Sequence, residues 1–143
     1  MLNMESFEYA VIRIVPSVER EEFINAGVVL YCKSKRYLGI EIFLNEELLR
    51  DLCPKVDIAL IKDYLNGFVS VASGSNKKSP IAVLDIASRF RWLTAVRSTV
   101  LQTSRIHTGL TDNPEATLQK IFNEQVARGD IDSLRNKSSK TVN

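Results

Sequence analysis

Hydrophobic positions along this chain alternate in period two over its first third and then shift to a spacing near 3.6, which predicts strands followed by helices. Phe7–Val15, FEYAVIRIV, alternates and is rich in β-branched and aromatic residues, so it is expected to be a strand that Pro16 closes. Phe23–Cys32, FINAGVVLYC, predicts a second strand, with Gly27 inside it marking a bulge or a close backbone approach. Tyr37–Phe43 predicts a third. The polar Lys33–Arg36 between the last two has hairpin length, so they are expected to be antiparallel neighbours in a three-stranded meander.

The helical spacing begins at Asn45, which is placed to cap a short helix through about Leu52, with Glu46 and Glu47 at its positive end and Pro54 beyond it. From Val56 to about Val71 the apolar residues Leu60, Ile61, Tyr64, Leu65, Phe68 and Ala72 make one helical face, expected to cover the sheet. Ser73–Ser79 is a polar loop, expected to be exposed and mobile, and Ile81–Ala87 fits either a strand or a helical turn, the helical turn being the preferred reading. Phe90 and Trp92 alternate with Arg89 and Arg91 as in a half-buried edge strand, and Ala95–Thr108 is read as extended. Asp112, Asn113, Pro114 and Glu115 form a helix start, followed by Leu118, Ile121, Phe122 and Val126 on one face and a stop at Gly129.

With 45% apolar and 25% charged residues, the 143-residue chain falls in the range of one folded domain, placed at 1–134. Residues 135–143 have no apolar content to bury and are expected to be a disordered tail. The expected class is α+β: a mainly antiparallel sheet, the meander plus a later strand near 97–107, covered by two principal helices. A net charge of +2 lacks the strong basic excess of a dedicated nucleic-acid binder. No secretory leader and no membrane-length apolar run is read, so the expected location is cytoplasmic. Cys32 and Cys53 lack zinc-site spacing and are read as small reduced hydrophobes, with a disulfide as the alternative; no metal and no cofactor is expected.

Candidate chemistry concentrates in Arg89–Thr111, which holds four arginines, the only histidine and the only tryptophan. If the segment is extended, Arg97, Thr99, Leu101, Thr103, Arg105 and His107 share one side, and guanidinium forks among hydroxyls suit phosphate or carboxylate recognition. The competing reading has Arg97 and Arg105 lying over the sheet or paired with Glu19, Glu21 and Glu22. A functional Glu22 would instead orient Arg97 or Arg105, with the Asn25 amide beside it. His107 is a candidate acid or base, and Trp92 between Arg91 and Leu93 a candidate stacking platform. No GxSxG, HExxH, P-loop or dinucleotide fingerprint is present, which removes the motif-marked enzyme classes.

Two spaced patterns, Tyr9, Arg13, Pro16, Glu22, Asn25, Gly27 and then Arg97, Ser98, Gln102, Ser104, Gly109, carry a resemblance over about Phe7 to Val126. The chain resembles the bacterial DUF3037 family, a domain of unknown function. Where Val96 stands, that family often has proline, which leaves this backbone freer. The resemblance implies no activity, but it implies a neighbouring HipA-like serine/threonine kinase as a possible partner. The first expectation is therefore a non-catalytic interaction module, with Arg97, Ser98, Gln102, Arg105, His107, Glu22 and Asn25 as its recognition surface and Arg89, Arg91 and Trp92 as a second edge. The alternative is nucleic-acid, nucleotide or phosphate binding through the Arg/Thr/Ser-rich strand. The third is an enzyme acting on a phosphorylated substrate, with His107 or Glu22 as acid or base.

Overall fold

The alternation at the N-terminus becomes a strand longer than its pattern. In a computed structural model, which describes residues 3–17, 20, 22–97 and 99–127, β1 runs over Glu5–Ser17 and β2 over Glu22–Cys32. Pro16 does not close β1; it sits where the β1–β2 register shifts between Ile14 and Ser17, a place where proline's missing N–H leaves no ladder bond unmade. The bulge expected at Gly27 is present, with Ile12 opposite Gly27 and Arg13 opposite Asn25, so Ala26 is the extra residue. A four-residue turn at Lys33–Arg36 leads into β3, Tyr37–Ile42, antiparallel to β2.

Helices α1, Glu46–Leu52, and α2, Ile58–Ser73, follow the sequence reading. Asn45 Oδ1 accepts from Leu48 N at 3.0 Å and Asp57 Oδ1 from Leu60 N at 3.1 Å, each satisfying one of the amides left unpaired in a first helical turn. Gly74 ends α2 at φ 67°, the left-handed cap that glycine adopts without steric cost.

The expected edge strand at Arg89–Leu93 is instead part of α3, Ile86–Leu93, capped by Asp85, whose Oδ1 accepts from Ser88 N at 2.7 Å. That bond holds the Asp85 carboxyl below the ordinary carboxylate pKa. Ile86, Phe90 and Leu93 recur at helical spacing, and Phe90 and Leu93 are fully buried. Four alternating residues, RFRW, fit either period, and burial of this stripe decides for the helix.

Ala95–Thr108 is not one strand either. Among the described residues it holds β4, Leu101–Thr103, and the start of β5, His107–Thr111, and both pair with β1. Thr103 lies opposite Ile12 and His107 opposite Tyr9, so four steps on one side match three on the other. Ser104 bridges the mismatch: its N–H donates to Val11 O at 2.8 Å and its Oγ accepts from Val11 N at 2.9 Å. One extra residue reverses the side to which all later side chains point.

The sheet order is β3-β2-β1-β4, with β5 also on β1, every pair antiparallel; the fold is α+β. One face packs Ile12, Ile14, Ile24, Val29 and Tyr31 against α1, α2 and α3. The other packs Phe7, Val28, Leu30 and Cys32 under α4, Pro114–Phe122, and the π-helical turn Asn123–Ala127 that continues it. Leu118, Ile121, Phe122 and Val126 are all buried there, as their spacing predicted, and Asn113 is the N-cap before Pro114. The stop at Gly129 and the tail at 135–143 lie outside the described residues. Both cysteines are free, Cys32 buried and Cys53 half-buried. Among the described residues no helix is long and apolar enough to cross a membrane.

Candidate functional site

At the end of α3 the chain turns back so that Arg97 lies against the helix it has just left. Its Nη1 donates to Leu93 O at 2.9 Å and Ala95 O at 3.1 Å, and its Nη2 donates to Trp92 O. The Trp92 and Leu93 carbonyls belong to the partly negative C-terminal turn of α3, where the guanidinium charge is favourable. Its flat faces are covered as well, with ring centroids of Trp92 at 4.7 Å and Phe68 at 4.9 Å. Burial pushes the Arg97 pKa below the usual arginine value. A lysine has no fork to reach three carbonyls and no plane to stack. Arg97→Lys is therefore expected to lower stability by about 1–2 kcal/mol. Urea unfolding with an unchanged midpoint would show that charge alone holds this corner.

Arg97, Trp92 and Phe68 form one wall of a cleft of about 470 Å³ that runs along α2 past Tyr64, Gly67 and Val71 to Leu101. Trp92 and Tyr64 stay 36% and 42% exposed, large aromatic surface that a core would bury. Asp63 and Arg97 are the charged residues of the lining. A second hollow, about 410 Å³, follows the β4 edge and is bordered by Arg97, Gln102, Ser104 and Arg105.

The expected recognition residues are therefore divided. Arg97, Gln102 and Arg105 meet at the β4 hollow, while Ser98 lies outside the described residues. His107 is on the α4 side, its ring stacked on Tyr9 at 5.0 Å. Asn25 stands on that side too, in register with Arg13, and its Nδ2 donates to Gln125 O at 2.9 Å, which ties β2 to the π-helical turn. Gln102 flanks Arg13 from β4 and donates to Thr99 O at 2.8 Å. Arg13 lies over the Phe23 ring at 4.3 Å; its Nε and Asn25 Oδ1 are buried without a hydrogen-bond partner among the described residues.

Glu22 pairs with Arg20 at 3.2 Å, so it does not orient Arg97 or Arg105 as expected. Glu19 and Glu21, the other candidate partners, lie outside the described residues. Glu22 is opposite Ser17 and His107 opposite Tyr9, which puts them roughly 26 Å apart along β1 at 3.3 Å per residue. They cannot serve one bond as acid and base. Of the second edge, Arg91 pairs with Glu8 at 3.3 Å, and Arg89 donates to Val71 O and Ala72 O at the end of α2. Among the described residues no group of three or more His, Cys, Asp or Glu side chains could hold a metal ion.

Sequence reasoning missed the α2 wall, Tyr64, Gly67 and Phe68. The signal was there: Leu60, Ile61, Tyr64 and Leu65 make a stripe wider than one sheet face covers, and Gly67 interrupts a helix without need.

The family model described as "Protein of unknown function (DUF3037)" matches residues 9–126. No curated protein and no solved structure matches the chain.

Proposed function

We propose that this chain, which belongs to the DUF3037 family of unknown function, is a non-catalytic interaction module that binds and regulates a protein partner. One observation carries the reading: the cleft along α2 shows exposed aromatic surface, Trp92 and Tyr64, while its two charged groups form no acid–base pair, Arg97 being committed to carbonyls. Aromatic side chains lining an apolar hollow become the anchors of protein interfaces when a partner buries them. The partner to test first is a HipA-like serine/threonine kinase, which the family resemblance suggests.

Co-expression of the two proteins, followed by size-exclusion chromatography and calorimetric titration, is expected to give a stable complex. Trp92→Ala should weaken it about 30-fold, the loss of one anchor worth about 2 kcal/mol. Absence of a complex at micromolar concentration removes the kinase as partner. A complex whose affinity ignores Trp92 removes the cleft as its interface.

A second reading, phosphate binding, draws on the hollow shared by Arg97, Arg105 and Gln102. It requires affinity for an oligonucleotide that falls steeply with salt, because phosphate contacts release counterions. Salt-independent or undetectable binding ends it.

A further inference from the structure

Gly67 stands in the middle of a sixteen-residue helix, where glycine is a poor choice relative to alanine. Nothing in the fold requires it: its φ is not positive, and a Cβ added there meets no atom within 4 Å. Gly27, Gly39, Gly74 and Gly109, by contrast, would each drive an added Cβ into a neighbour. The open space over Gly67 is the α2 wall of the cleft.

The residues around it form a line. Leu60, Tyr64 and Gly67 recur at i, i+4 and i+7 beside the stripe that α2 turns to the sheet, Leu60 and Tyr64 being 43% and 42% exposed, and Val71 at i+11 ends the line as part of the core. The exposed part of it, Leu60 to Gly67, is about 10 Å long. A helix face of this kind suits an elongated occupant, and the missing side chain at Gly67 lets a second backbone come close. Asp63, which lines the cleft, makes no ion pair among the described residues.

We propose that the cleft receives an amphipathic helix of a partner protein, which lies along α2, crosses it at Gly67, sets an apolar anchor against the exposed faces of Tyr64 and Trp92, and places a basic residue against Asp63. This deepens the interaction-module reading and rests on it. Gly67 is then a specificity-determining residue: its absent side chain admits the helix, and the exposed aromatics grip it.

The test uses the full chain and a display library of amphipathic helices with apolar residues at i, i+4 and i+7 and Lys or Arg between them. Wild type is expected to enrich binders of micromolar affinity that shift the Trp92 fluorescence. Gly67→Ala should raise Tm by roughly 2–4 °C, because alanine is the better helix former. The same change should weaken the selected helices about tenfold, and Gly67→Phe should abolish their binding. Asp63→Lys should weaken the basic ones and spare neutral ones. Opposite signs for stability and binding cannot arise from a damaged fold.

A Gly67→Ala protein with lower Tm, or with higher Tm and undiminished binding, overturns the assignment, as does a library that yields no binder. A concentration-dependent dimer that Gly67→Phe dissociates overturns it in favour of a second copy of this chain. Selected helices that bind as described while the kinase does not co-purify reject only that partner.

Discussion

Phe90→Ala is expected to destabilise the protein by about 3–5 kcal/mol, the cost of deleting a fully buried ring and leaving a hole that the sheet cannot close. Phe90 is a main contact between α3 and the sheet, its ring 5.3 Å from that of Tyr31 on β2, with Leu93 buried in the same core. An eight-residue helix has little stability of its own, so its docking depends on such contacts. The effect should extend past stability. Trp92 and two of the three carbonyls that hold Arg97 belong to the same helix, so loss of its anchor loosens the wall of the cleft. Urea unfolding followed by circular dichroism measures the first effect, and Trp92 emission in the folded baseline, moved to longer wavelength, measures the second. A loss below about 1 kcal/mol would mean that α3 is held by something other than this ring.

Gly27→Val is expected to cost about 3 kcal/mol or more. Gly27 is paired on both sides, to Ile12 of β1 and to Ile42 of β3. A Cβ there would lie 2.7 Å from the Glu41 carbonyl oxygen and 2.9 Å from Ile42 Cγ2. A side-chain end can move aside, whereas a backbone carbonyl in a sheet moves only with its strand. The expected result is displacement of β3, seen as a lower Tm and faster amide exchange over Tyr37–Ile42. Gly27→Ala should show the same pattern at about 1–3 kcal/mol. Equal stability of wild type and Gly27→Val would deny the close approach.

The two expectations differ in how they were legible. Gly27 sits within an unbroken alternation, so a glycine there already indicated a bulge or a near neighbour, and both are present. Phe90 was visible only as an apolar residue beside charged ones, and its four-residue context was read with the wrong period. The same limit governed the candidate site. Arg97, Arg105 and His107 were grouped because period-two counting puts them on one side, and the extra residue around Ser104 breaks that count. Parity along a strand is lost at a bulge, and composition does not announce one when no glycine marks it.

What the sequence determined by itself is what local physics determines. The alternation of Phe7–Val15 and Phe23–Cys32 makes strands, Asn45 and Asn113 start helices, and the stripe Leu118–Val126 finds a sheet to cover. Each depends on residues within a few positions of one another. Tertiary structure alone decided that α2 and α4 take opposite faces, that Arg97 folds back onto the end of α3, and that Tyr64, Gly67 and Trp92 share one cleft. Those outcomes depend on which surfaces meet, and a surface is assembled from residues that the chain order keeps apart.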